Sequence, residues 1–145
     1  MSEIEQYLQE EENYALISEK TPLISNLDII ENISLIKEVH EFISINKAQN
    51  ISNEYLEKIH LSNIANKRPT ACSDTEKLYA MIIRATMCQN KKIIISNLVH
   101  LLDNLKDIQD IIKNVENIVT DKNVTILDIF SNEIHYEGCL CRIIK

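Results

Sequence analysis

Residues 94–119 read IISNLVHLLDNLKDIQDIIKNVENIV, and the fold expected for the chain turns on how this stretch is read. Ile94, Leu98, Leu101, Leu105, Ile108, Ile112, Val115 and Val119 follow one another at alternating steps of four and three. That spacing keeps one stripe of a helix facing a partner along its whole length. It predicts a single helix of about 39 Å, at ~1.5 Å per residue, or two helices split near 104–107. Ile95, Leu102, Ile111 and Ile118 lie beside the stripe and make it wider than a two-stranded coiled coil needs. The stretch therefore reads as the spine of a compact helical bundle.

The segments before it fit that reading. Ser2 with Glu5 is a capping box ahead of Ile4, Tyr7, Leu8 and Leu16, which predicts a helix over 3–18. Ser25 with Asp28 precedes Ile29, Ile33, Ile36, His40 and Ile43, which predicts a second helix over 26–46. Lys47–Ile51 reads as a polar turn, and Tyr55, Leu56 and Ile59 mark a third helix over 53–65. Lys67-Arg68-Pro69-Thr70 breaks the chain, and the Ser73–Glu76 capping box opens a fourth helix over 74–88. Val124–Phe130 is rich in β-branched and aromatic residues, and Ile134–Tyr136 and Cys139–Ile144 flank Gly138, which suits a small β-hairpin or an extended tail over 124–144. The expected fold class is all-α, a single domain over 1–145 with about five to seven helices. Its acidic first helix, 1–19, would be a detachable arm.

Composition points the same way. The sequence has one glycine, Gly138, and two prolines, Pro22 and Pro69. Tight hairpins and phosphate-cradling loops use glycine for positive φ, so its scarcity argues for helices and against a Gly-rich nucleotide loop. Isoleucine, asparagine and lysine supply 26, 15 and 12 of the 145 residues, a bias that suits an A/T-rich genome. Net charge is −7, and residues 1–19 hold six glutamates without a base. No basic stripe is present to neutralise phosphates, and acid repels anionic lipid, so neither nucleic acid nor membrane is expected as a partner. No signal peptide or apolar span is evident, and the four cysteines read as reduced thiols, so a cytoplasmic location is expected.

Candidate chemistry is sparse. His135, Cys139 and Cys141 could supply three zinc donors, with Cys72 or Cys88 as a fourth. Glu57 and His60 share a helix face at the spacing used by di-iron bundles, but only one copy occurs. His40 and His100 lie on or beside apolar stripes, and Cys72 stands before a helix start that could lower its pKa. Glu10, Glu11 and Glu12 could dock a basic surface. No cofactor is expected.

These observations lead to the expectation of a non-enzymatic interaction module. It would bind a partner helix or basic surface, or self-associate, through Ile94, Leu98, Leu101, Leu105, Ile108, Ile112 and Val115. In size, acidity and helical class the chain resembles the small host-modulating proteins of large DNA viruses, the Bcl-2-like group among them. No shared motif carries that resemblance. The alternatives are a zinc module or enzyme built on His135, Cys139 and Cys141, and a self-assembling scaffold.

Overall fold

The structure, a computed structural model, describes residues 2–138. It is mixed α/β. Five α-helices run over Glu3–Glu10 (α1), Ile29–His40 (α2), Ile45–Lys58 (α3), Asp74–Thr86 (α4) and Ile108–Ile118 (α5). Three strands, Tyr14–Ile17 (β1), Lys92–Ser96 (β2) and Asn123–Leu127 (β3), form a parallel sheet in the order β1-β2-β3. Short 3₁₀ turns fill several of the connections.

The all-α expectation is overturned by the stretch that carried it. Ile94 lies in β2, Leu98 and Leu101 in a 3₁₀ turn, Leu105 at the start of another, and Ile108, Ile112 and Val115 in α5. The physical cause is at Ile93-Ile94-Ile95. Three consecutive β-branched side chains pack better on a pleated surface than on a helix, where their χ1 freedom is lost. All three are at most 2 % exposed. Successive strand residues point to opposite faces, so β2 is covered on both sides, as the centre of a parallel sheet must be. Asn97 then enters the left-handed region at φ 57 and ends the strand. A helix through 94–119 cannot pass that residue.

The scarcity of glycine misleads for a related reason. Among the described residues, four other than glycine take positive φ: Asn13 before β1, Phe42 between α2 and α3, His60 after α3, and Asn97 after β2. Asparagine tolerates this region through its short polar side chain, so two sheet boundaries are made without glycine. Parallel strands also need long crossovers rather than hairpins, so the sheet places no demand on tight turns. Asn13 cuts the expected first helix, leaving α1 and β1. The expected helix at 26–46 divides at Phe42, and the expected polar turn at 47–51 lies inside α3, capped by Ser44. α4 starts on the expected Ser73–Glu76 capping box. The extended character expected over 124–130 is realised only as far as Leu127, in β3, which pairs in parallel with β2 rather than in a hairpin; Phe130–Tyr136 is a 3₁₀ turn, and residues 139–144 lie outside the described residues.

Ile29, Ile33, Leu56, Ile64, Leu78, Ile82 and Ile83 join Ile17, Ile93 and Ile95 in one core. α2 packs on α3 and α4, and α4 reaches β1. No buried side-chain nitrogen or oxygen among the described residues lacks a hydrogen-bond partner, as a folded interior requires. No helix among the described residues is long and apolar enough to cross a membrane.

Candidate functional site at the carboxyl edge of the sheet

Because the three strands are parallel, their carboxyl ends share one edge: Ser18 follows β1, Asn97 follows β2 and Asp128 follows β3. In open α/β sheets the crevice outside these ends is where ligands bind, since chain direction and loop exposure converge there. A cavity of about 340 Å³ opens at this edge beside β1, between Ser18, Leu23, Thr70, Lys77, Met81 and His100. A larger cavity, about 790 Å³, lies at the opposite edge against Asn13, His40, Cys88 and Lys91. Strand direction, not volume, selects the first.

The loop that follows β1 is fixed from three directions. Thr21 Oγ1 accepts from Ser18 N–H at 3.0 Å and donates to Leu16 O at 3.1 Å. Lys20 N–H donates to Ser18 Oγ at 3.1 Å, and Thr21 N–H donates to Ser18 O at 3.1 Å. From α4, Arg84 Nη2 donates to Thr21 O at 2.6 Å and Nη1 to Pro22 O at 3.0 Å. From α2, Asn32 is 2 % exposed; its Oδ1 accepts from Ile24 N–H at 2.7 Å. Its Nδ2 donates to Ile24 O, Leu27 O and Asp28 O at 3.1, 3.2 and 3.1 Å. A loop tied to two helices in this way is preorganised, which is what a binding edge requires.

The other elements at this edge are also committed. Asp128 Oδ1 accepts from Ile129 N–H at 2.8 Å and Asn132 Nδ2 at 2.7 Å. Its Oδ2 accepts from Tyr136 O–H at 2.6 Å and Val99 N–H at 3.4 Å. The α4 N-terminus is closed by its own box: Ser73 N–H donates to Glu76 Oε1 at 2.9 Å and Glu76 N–H to Ser73 Oγ at 3.1 Å. Thr75 Oγ1 lies within 2.8 Å of Asp103 Oδ1 and 3.2 Å of Asp107 Oδ2, joining α4 to the segment before α5.

The residues singled out from sequence are scattered. Ile94 is buried in β2; Leu98 is buried and Leu101 half-buried in the turn after it. Ile108, Ile112 and Val115 are buried on α5, while Leu105 is 42 % exposed. Glu10 and Glu12 are exposed, and Glu11 pairs with Lys92 at 2.8 Å. The hydrogen bond from Lys92 lowers the Glu11 pKa and raises that of Lys92. His135 lies in the 3₁₀ turn 130–136, whereas Cys139 and Cys141 lie outside the described residues. Among the described residues no three His, Cys, Asp or Glu side chains converge on a metal-sized site. Glu57 and His60 are both exposed. Cys72 departs from expectation: burial, then Glu76, raises its pKa rather than lowering it.

Sequence reasoning missed Ser18, Thr21, Asn32, Arg84, Asn97 and Asp128. Only the triple isoleucine ending in Ser96-Asn97 could have marked the edge, as a short apolar run closed by a turn former.

No protein-family profile matches the sequence, and no curated protein matches it. Among solved structures, the chain is similar to an ATP-binding cassette protein determined as a dimer in a post-hydrolysis state, bound to ADP and phosphate. The TM-score is 0.63 at 20 % identity, over 91 % of this chain and 59 % of that one. The chain thus spans about three fifths of the length of the structure it matches. At this identity the likeness is one of fold. It overturns the expectation of an all-helical bundle, and with it the long helical face on which the non-enzymatic interaction module was built. That expectation required a bundle, and the architecture is an α/β sheet of the kind an ATP-binding cassette uses.

Proposed function

We propose that the chain forms part of an adenine-nucleotide site, at the carboxyl edge of its sheet, in a protein of ATP-binding-cassette type. The observation that carries this reading is the parallel convergence of Ser18, Asn97 and Asp128 on one edge, in a fold whose solved neighbour holds ADP and phosphate. The preorganised loop after β1 and the cavity beside it support the same edge.

The residues present do not fit the phosphates. A phosphate cradle needs successive unspent backbone N–H groups, normally on a glycine-rich loop. The sequence has no such loop, and the N–H groups of Ser18, Lys20 and Thr21 are already donated within the turn. Asp74 and Glu76 add negative charge to the α4 N-terminus. The four hydrogen bonds accepted by Asp128 leave it committed to the fold rather than to a cation. No catalytic step follows from these groups alone.

In this proposal the cradle comes from a glycine-rich strand–loop–helix that these 145 residues do not contain. The outer side of β3 suits such a strand. Asn123 N–H donates to Lys91 O, and Leu127 O accepts from Asn97 N–H, so Val124 and Ile126 turn their backbone groups away from β2. β3 carries no lysine or proline to guard that edge. An intracellular compartment, where nucleotide is abundant, suits the unpaired thiols of Cys72 and Cys88.

The test is titration of the isotope-labelled chain with magnesium–ADP to millimolar concentration, read by amide chemical shifts. The expected result is perturbation at Ser18–Thr21, Ser96–Asn97 and Asp128, with Asn90 and Lys91 at the opposite edge unmoved. Perturbation confined to the opposite edge, or spread equally over both edges, overturns the reading.

A further inference from the structure

The two faces of the sheet are covered differently. Side chains of residues paired across strands share a face, and the face alternates along each strand. Ile17, Ile93 and Ile95, with Ala15, Val124 and Ile126, therefore face the helical core. Tyr14, Leu16, Lys92, Ile94 and Thr125 face the other way. Ile94 is only 2 % exposed yet lies outside that core. A parallel sheet needs a cover on each face, and over β1 and β2 the second cover is α1.

Three contacts lay α1 along this second face, antiparallel to β1. Tyr14 O–H donates to Leu8 O at 3.3 Å, Lys92 Nζ donates to Glu11 Oε2 at 2.8 Å, and Lys20 Nζ lies 3.8 Å from Glu5 Oε1. Ile4, Leu8 and Glu11, at steps of four and three, are half-buried and form the inner stripe. No residue of α1 is fully buried.

The helix is weak by construction. Its 8 residues are too few to persist as a helix alone in water. Glu3 and Glu5 in the first turn suit the helix dipole, but Glu10, Glu11 and Glu12 crowd its negative end, and the last turn has no base. Lys92 of β2 supplies the missing cation, and Tyr14 takes one of the carbonyls that a last turn leaves unpaired. Beyond Glu12 the chain turns at Asn13, φ 56, and the cavity of about 790 Å³ at the amino edge lies against both residues, so the turn has open space beside it.

We propose that α1 is a releasable strap, latched by Glu11–Lys92 and Glu5–Lys20 and hinged at Asn13, which covers Leu16 and Ile94 and lifts while the rest of the domain stays folded. Both latch pairs reach solvent, so salt screens them, the Debye length falling to about 3 Å near 1 M. The detachable unit is residues 2–12 rather than the 1–19 expected from sequence, because Tyr14–Ile17 is bound into the sheet. The strap acts on a face of the sheet and not on its carboxyl edge, so it is independent of any nucleotide there.

The first measurement is site-resolved amide hydrogen exchange of the wild-type chain at low salt and at about 1 M sodium chloride. The amides of Tyr7 to Glu10, bonded within α1, should exchange roughly three- to tenfold faster in high salt. In both conditions they should exchange on the order of a hundredfold or more faster than those of Ile82 and Ile83 in α4. Lys92→Met should reproduce the effect of salt without adding to it. The second measurement compares iodoacetamide labelling of Ile94→Cys and Ile95→Cys, located by peptide mapping. The thiol placed under the strap at 94 should react faster than the one facing the core at 95, and Lys92→Met should speed only the former, by roughly threefold or more. Exchange in α1 as slow as in α4 would overturn the proposal, since the helix would then open only with the whole domain. So would α1 exchange indifferent to both salt and Lys92→Met, or equal labelling at 94 and 95. Where a cysteine variant does not fold, the exchange of the wild type decides alone.

Discussion

Replacing Asn32 by Asp changes one heavy atom and tests the organisation of the β1–α2 connection. Asn32 Nδ2 faces three carbonyl oxygens, those of Ile24, Leu27 and Asp28, at 3.1–3.2 Å, and the side chain is 2 % exposed. A carboxylate oxygen in that place would be an acceptor among acceptors and a charge with no counterion. Breaking a buried polar network in this way costs about 3–5 kcal/mol at pH 7. For a chain of this length that lowers Tm by roughly 10–15 °C. The pH dependence has a definite sign. The carbonyl cage favours the protonated acid, so the folded pKa of Asp at 32 rises above its unfolded value of about 3.9. Between the two pKa values the folded state binds more protons, so the variant's deficit grows as pH rises and shrinks as pH falls. Thermal melts of variant and wild type, followed by circular dichroism at pH 7 and at pH 4, measure the deficit as a difference. A variant within about 2 °C of wild type at pH 7 would refute the placement of Asn32 at the centre of this network.

Other outcomes follow from burial and capping. Ile95→Ala, at a 0 % exposed position in the central strand, should lose about 2–5 kcal/mol in denaturant unfolding. Leu105→Asp should shift stability by less than about 1 kcal/mol, whereas Ile112→Asp should prevent folding, although both lie on the same heptad stripe. Ser73→Ala removes the α4 cap and should cost about 1 kcal/mol by the same assay. Burial raises the thiol pKa of Cys88, so peptide mapping after iodoacetamide at pH 8 should find it alkylated more slowly than a free cysteine standard.

What was legible in the sequence was local. The Ser73–Glu76 box announced α4, and Ser2–Glu5 announced α1, because capping is set by residues within one turn of each other. Burial was partly legible too. Ile94, Leu98, Ile108, Ile112 and Val115 are interior, as their apolar pattern implied. Their secondary structure was not, because an apolar residue every three or four positions also arises when a buried strand, a turn and an amphipathic helix follow in succession. The four-residue β1 carries little pattern of its own; parallel pairing with β2 defines it, a contact remote in sequence. The site was hidden for the same reason. Ser18, Asn97 and Asp128 belong to separate connections, and only the shared direction of three strands brings them to one edge. Arg84 and Asn32 looked like ordinary helix residues until the loop they hold was placed.

The parallel sheet underlies every functional statement made for this chain, and backbone NMR of residues 92–101 tests it most directly. The account predicts extended chemical shifts over Lys92–Ser96, a left-handed signature at Asn97, and cross-strand contacts pairing Ile93 with Ala15 and with Val124. Continuous helical shifts through Ser96 and Asn97, with contacts from Ile94 to Leu98 one turn on, would contradict it.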